Sequence, residues 1–87
     1  MKKNEQEKVT FRRKDLKRRL GIPAGYPGIE WIWPYKLENE VSVVLKGGRT
    51  ACEYTYAEFL TLLDLPLGTE IVSSEYKLTK ISLWVKK

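Results

Sequence analysis

Histidine is absent from this chain, and cysteine and methionine each occur only once. With Cys52 as the single thiol, the chain has neither a His/Cys cluster for zinc nor an internal disulfide framework. The lack of histidine also removes the usual general base, and the carboxylates after residue 21 are scattered along the chain. The sequence therefore predicts a protein that is not an enzyme, with no catalytic residues, metal or cofactor. Cys52 is interpreted as a small buried side chain.

Long apolar runs are absent as well. Met1-Lys2-Lys3 leads into polar residues, and no stretch approaches the ~20 apolar residues of a membrane-crossing helix. We therefore expect a soluble, cytoplasmic protein that does not contact membranes. A chain of 87 residues is sufficient for one domain with a modest core, but not for a deep and separate cleft.

Positive charge is concentrated at one end of the sequence. Residues 1–20 contain nine Lys or Arg and three Asp or Glu, which is a net charge of +6. The rest of the chain has seven basic and eight acidic residues, a net charge of −1. The whole positive excess therefore belongs to the first twenty residues.

One short segment occurs twice. Leu20-Gly21-Ile22-Pro23-Ala24-Gly25 returns 43 positions later as Leu63-Asp64-Leu65-Pro66-Leu67-Gly68. A proline two residues beyond a helical pattern cannot continue the helix, so both copies are predicted to end helices, at about 13–20 and 56–63. Gly21 is predicted to take the left-handed position after the first helix. Thr55 and Glu58 are spaced as a capping box that starts the second helix, and Arg12 and Asp15 hold the equivalent places in the first.

Alternating apolar residues predict strands after each helix. Residues 26–46 form one predicted hairpin, and residues 69–76 with 79–85 form another. The predicted fold class is α+β, with two αββ halves forming a four-stranded, largely antiparallel sheet and two short helices packed on it. The chain is predicted to be a single small domain, residues 1–87. Within it we expect a mobile tail at 1–8, a first half at 9–46, a linker at 47–49 and a second half at 50–87.

The charge of the first helix suggests a function. Leu16 and Leu20 form a narrow apolar stripe on it, and basic side chains cover the rest of its surface. A dense group of cations on one helix is typical of phosphate binding. The alternatives are a solvated face that keeps the protein soluble and a basic patch for an acidic protein. The candidate nucleic-acid-binding residues are Arg12, Arg13, Lys14, Lys17, Arg18 and Arg19.

A second candidate surface lies on the predicted sheet. Ile32, Val44 and Trp84 fall on the face that is predicted to point away from the helices. Either loops or the N-terminal tail cover these side chains, or they form a protein-interaction surface for a second subunit or another protein.

Three aromatic residues alternate along the first predicted strand of the first hairpin. Trp31, Trp33 and Tyr35 are interpreted as part of the core, because bulky aromatic side chains fill the inner face of a small sheet. The alternative is an exposed platform on which unpaired bases stack.

Each half of the chain resembles the swapped-hairpin regulators of the AbrB type, a family that includes antitoxins. The residues that are similar are Val9-Thr10-Phe11, Asp15-Leu16, Leu20-Gly21-Ile22, Gly25, Tyr54, Glu58-Phe59, Leu63, Leu65 and Gly68-Thr69-Glu70-Ile71. The chain departs from the family where Phe11-Arg12 replaces Ile-Pro before the helix, and where Tyr26-Pro27-Gly28 is inserted. The resemblance implies DNA binding by Arg12, Arg13, Lys17 and Arg18.

Two hypotheses of function follow. The first is a small non-enzymatic protein that binds nucleic acid through the basic first helix, as a transcriptional or antitoxin-like regulator; the resemblance favours DNA, and RNA is the alternative. The alternative is a phage-encoded inhibitor of a host defence complex, similar to an anti-CRISPR protein, or a module that binds a host protein through a sheet face. A homodimer is compatible with both hypotheses.

Overall fold

The computed structural model describes residues 6–86 and contains two short helices and six strands. In chain order the elements are β1 (Gln6–Arg12), α1 (Arg13–Arg19), β2 (Ile29–Tyr35), β3 (Glu40–Leu45), β4 (Ala51–Thr55), α2 (Tyr56–Leu62), β5 (Glu70–Tyr76) and β6 (Lys80–Lys86). The class is α+β. Neither helix in this part of the chain is long and apolar enough to cross a membrane.

The strands form two three-stranded antiparallel sheets, not the single four-stranded sheet that was predicted. The first sheet has the order β1-β6-β5, and the second has the order β2-β3-β4. The difference arises because β1 and β4 are full strands and pair with the hairpins. Each sheet combines the hairpin that follows one helix with the strand that precedes the other helix, so the two halves exchange their leading strands.

Both helices end in the same way. After α1, Ile22 N–H donates to Lys17 O at 3.1 Å, and Gly21 has a φ of 73°. After α2, Leu65 N–H donates to Leu60 O at 2.8 Å, and Asp64 has a φ of 64°. These are Schellman motifs, in which a left-handed residue turns the chain back over the last helical turn. The prediction for Gly21 is confirmed.

The helix starts differ from each other. Thr55 Oγ1 accepts from Glu58 N–H at 3.0 Å, and Glu58 Oε1 accepts from Thr55 N–H at 3.3 Å, so the predicted capping box of α2 is confirmed. Arg12 occupies the same place before α1, but its side chain makes no capping hydrogen bond. The first helix is therefore held at its start by tertiary contacts.

The core lies between the inner faces of the sheets and the buried sides of the helices. Leu16 of α1 and Phe59 of α2 are both fully buried, and side chains of both sheets pack with them. The remaining buried apolar residues are Leu20, Ile22, Ile29, Ile32, Val41, Val43, Leu45, Tyr56, Leu60, Leu63, Ile71, Ile81, Leu83 and Val85.

Two predicted boundaries change. Residues 6–8 belong to β1 and pair with β6, so this part of the predicted tail is a strand, while residues 1–5 lie outside the described residues. The predicted linker at 47–49 is the tight turn of the β3–β4 hairpin, closed where Leu45 N–H donates to Thr50 O at 2.9 Å.

Candidate nucleic-acid interface

The six basic candidates divide into two groups according to their contacts. Arg13 and Lys17 are half-buried and donate hydrogen bonds to backbone carbonyl groups outside their own helix. The other four side chains are exposed: Arg12, Lys14, Arg18 and Arg19.

Arg13 holds the start of α1 in the fold. Its Nε donates to Lys77 O at 2.6 Å, and its Nη1 donates to Ile29 O at 2.6 Å. Its backbone N–H donates to Thr79 O at 2.9 Å. The guanidinium thus connects the helix to the β5–β6 turn and to the first residue of β2 through its Nε and Nη1 groups.

Lys17 has a similar role at the other end of the helix. Its Nζ donates to Ala24 O at 3.2 Å and to Tyr26 O. Both acceptors lie in the loop between α1 and β2, so Lys17 stabilises the conformation of this loop. The end of the helix is also fixed by Tyr54, whose Oη donates to Leu20 O at 2.7 Å.

Burial raises the pKa of Tyr54 from 10.0 to about 12, and the neighbouring Cys52 and Glu58 act in the same direction. The hydroxyl is therefore protonated, and able to donate to Leu20 O, throughout the physiological range. This bond links β4 of the second sheet to the end of the basic helix.

The exposed basic side chains face solvent with few competing contacts. The Arg18 side chain is 78% exposed, and it forms an ion pair with Asp15 at 2.6 Å. The Arg19 guanidinium lies 5.6 Å from the centre of the Phe11 ring. An exposed ion pair of this kind contributes little stability, so Arg18 can exchange Asp15 for another anion at low cost.

The first sheet adds another cation to this group. Arg12 is the last residue of β1 and pairs with Lys80, the first residue of β6. Paired residues of adjacent strands share one face of a sheet, so the two side chains lie together. A shallow depression between them and α1 is lined by Arg12, Arg13, Lys14, Asp15, Arg18, Leu78, Thr79 and Lys80. We call the five exposed cations Arg12, Lys14, Arg18, Arg19 and Lys80 the basic surface.

The equivalent position in the second sheet has the opposite charge. There the last residue of β4, Thr55, pairs with the first residue of β3, Glu40. The adjoining helix α2 has no basic residue in its last turn, and Glu58 lies in its first turn. Although the two halves fold alike, only the first presents cations beside its helix.

The predicted protein-interaction residues do not form one surface. Ile32 is in the core and is only 4% exposed. Val44 lies in the second sheet and Trp84 in the first, and both are half-buried. Val44 and Trp84 are separated because the strands form two sheets and not one. Ile32 is buried because of a bulge between Ile29 and Trp31, where one extra residue reverses the alternation of β2. Ile29 and Ile32 consequently both face inward.

The same bulge corrects the interpretation of Trp31, Trp33 and Tyr35 as core residues. Their exposed fractions are 43%, 45% and 45%. They occupy the outer face of the second sheet, where Trp31 pairs with Val44 and Tyr35 pairs with Glu40. Sequence alternation alone did not reveal this face, because the extra residue in the strand is visible only in the pairing with β3.

The described residues offer no group of three or more His, Cys, Asp or Glu side chains that could hold a metal ion. Cys52 is half-buried and has a free thiol. No protein-family model, curated protein or solved structure matches this chain.

Proposed function

We propose that this protein binds nucleic acid without catalysing a reaction, and that the basic surface holds the phosphate backbone. The observation that carries the proposal is the charge difference between the two halves. Five exposed cations surround α1 and the adjoining pair of β1 and β6, whereas the matching position of the second half contains Glu40. Cations placed to contact successive phosphates release counterions, and this release drives binding.

Arg13 and Lys17 support the surface rather than contact the ligand. Both side chains already donate to backbone carbonyl groups, and these contacts fix the helix relative to the sheet. A fixed arrangement of cations favours binding, because less conformational entropy is lost when the ligand is contacted. The role that we propose is that of a transcriptional or antitoxin-like regulator that binds DNA, and we propose that it is related to the swapped-hairpin regulators of the AbrB type. The exchange of leading strands between the two halves is consistent with it.

A salt titration tests the proposal. Fluorescence anisotropy of labelled duplex DNA, duplex RNA and single-stranded DNA is measured at several salt concentrations. Five phosphate contacts predict a log–log slope of about −4.5 for duplex DNA, which is a loss of roughly 10²- to 10³-fold between 50 and 200 mM salt. Absence of binding to all three ligands at 50 mM salt would refute the proposal.

A further inference from the structure

The outer face of the second sheet contains a cleft that the proposed function does not use. Trp31 and Trp33 line it together with Glu30, Val44 and the turn residues Gly47 and Gly48. The β-bulge creates this arrangement, because it turns Trp31 outward and leaves Glu30 exposed beside it. Bulges often re-aim side chains in this way at binding sites.

The two indole rings form a corner. Their centroids are 5.4 Å apart and their planes meet at 73°. The turn leaves the cleft open, because a Cβ atom added to Gly47 or Gly48 would have no other atom within 4 Å. The rings contact each other edge to face, so a ligand side chain packs on their exposed faces beside the glycine turn and not between the rings.

The charged and aromatic residues of this face favour a cation as the ligand. The faces of indole rings are electron-rich and attract ammonium and guanidinium groups. Glu30 lines the cleft, and Glu40 and Glu53 lie on the outer face of the same sheet. The exposed cations Lys46 and Arg49 flank the glycine turn, but neither lines the cleft. Within residues 6–86 none of these three carboxylates forms an ion pair. Within the cleft itself the charged lining residue is Glu30, which attracts a cation and repels a phosphate group.

The first sheet shows the same chemistry within the chain. Lys8 pairs with Trp84, and its Nζ lies 5.5 Å from the centre of the indole ring. In the second sheet the corresponding strands pair Ala51 with Val44, so this pairing supplies no lysine. Among the described residues, neither Trp31 nor Trp33 has a cation over its ring.

The edge of β2 that does not face β3 cannot pair with another strand, and this limits how a partner protein can bind. Ile32 N–H donates to Tyr76 Oη at 2.8 Å, and Ile29 O accepts from Arg13. Pro34 has no N–H to donate. Because these groups are blocked, a partner strand cannot extend the sheet at β2, and a partner that approaches the cleft contacts side chains on the face.

We propose that the cleft lined by Trp31, Trp33 and Glu30 binds a lysine or arginine side chain from a basic segment of a partner protein. The cation packs against the indole rings, and the Glu30 carboxylate neutralises its charge. This site lies on the second sheet and the basic surface lies beside α1 and the first sheet, so the two can be tested separately.

A peptide titration followed by NMR tests the proposal. The three tryptophans give three indole N–H signals, and Trp84 serves as the internal reference. Acetylated hexalysine is added, with acetyl-lysine methylamide and its uncharged counterpart acetyl-norleucine methylamide as smaller probes. The signals of Trp31 and Trp33 should shift with both lysine probes and not with norleucine. The protein's net charge of +5 opposes nonspecific binding of a cationic peptide.

Matched variants test whether hexalysine binds at this cleft. Trp33→Thr should weaken hexalysine binding by about threefold, which is within the range of a cation–π contact at an exposed site. Glu30→Gln should weaken it by about twofold or more, because an exposed ion pair is lost. Glu7→Gln removes the same charge from an exposed position on β1 and should change the affinity by less than about 1.5-fold.

Three results would overturn the proposal. Equal shifts with norleucine would mean that the cleft is only an apolar surface. Shifts of Trp31 and Trp33 with a single-stranded oligonucleotide but not with hexalysine would identify a base-stacking platform. Shifts that depend on protein concentration, with no peptide present, would show that a second copy of the chain covers this face.

Discussion

Arg12 and Arg13 are adjacent in sequence, and the structure predicts opposite consequences when each is replaced by glutamine. Arg13→Gln removes the hydrogen bonds to Lys77 O and Ile29 O, of which the second is partly buried. A net hydrogen bond to a charged group contributes about 1.5–3 kcal/mol, and exposure of the contact to Lys77 reduces its share. We therefore expect Arg13→Gln to lower the free energy of unfolding by about 2 kcal/mol.

Arg12→Gln should lower the free energy of unfolding by less than about 0.5 kcal/mol, because Arg12 is exposed and its side chain makes no capping hydrogen bond. It should nevertheless weaken DNA binding, since Arg12 belongs to the basic surface. Urea denaturation gives both free energies, and anisotropy titrations give both affinities. Arg13→Lys is a useful third variant, because it retains the charge but not the planar fork that joins two carbonyl groups.

The reasoning would be wrong if both glutamine variants were equally stable. It would also be wrong if Arg13→Gln reduced DNA binding more than Arg12→Gln under conditions in which both variants are folded. Either result would mean that the hydrogen bonds of Arg13 to Lys77 O and Ile29 O do not stabilise the fold.

The remaining stability predictions concern the equivalent ends of the two halves. Both Gly21 and Asp64 have a left-handed backbone conformation. Asp64→Gly should therefore raise the free energy of unfolding by about 0.5–1 kcal/mol, and Gly21→Ala should lower it by about 1 kcal/mol. Urea denaturation should show that the two variants change stability in opposite directions. Thr55→Ala should cost about 1 kcal/mol through loss of the capping box, measured as a fall in melting temperature. Because the pKa of Tyr54 is about 12 in the folded protein and 10.0 in the unfolded chain, its contribution is complete below pH 10 and is lost between about pH 10 and 12. Between pH 10 and pH 12 the free energy of unfolding should therefore fall less in Tyr54→Phe than in the parent protein. Urea denaturation at the two pH values measures both changes, and an equal fall in the two proteins would contradict this expectation.

The helices could be predicted from the sequence because their signals are local. The stops at Leu20-Gly21 and Leu63-Asp64 and the capping box at Thr55 each depend on residues within one or two turns of the chain. The structure shows these features where the sequence placed them.

The division of the strands into two sheets depends on distant pairing. β1 pairs with β6, which lies at the other end of the chain, and nothing in the residues near Val9 specifies that partner. Contacts between positions so far apart leave no local pattern. The fold class and the helices were therefore predicted correctly from the sequence, but the prediction of a single four-stranded sheet was wrong.

The candidate sites were limited by two other features. A single extra residue at Glu30 moved Trp31 from the predicted inner face to the outer face and Ile32 into the core. The roles of Arg13 and Lys17 were hidden because their acceptors are backbone carbonyl groups, which every residue possesses. Composition identified the basic helix, but only the three-dimensional contacts separate its exposed cations from its structural ones.

The most direct test of phosphate binding by the basic surface is a comparison of two double variants with the same change of charge. Lys14→Glu with Arg18→Glu alters the basic surface, while Lys46→Glu with Arg49→Glu alters exposed residues at the β3–β4 turn. Anisotropy titrations against duplex DNA are measured at several salt concentrations, with circular dichroism as the control for folding. The first variant should reduce the log–log slope from about −4.5 to about −2.7 and weaken binding at least about tenfold, whereas the second should leave the slope unchanged. Equal losses in the two variants, or parental affinity in the first, would contradict the assignment of phosphate binding to this surface.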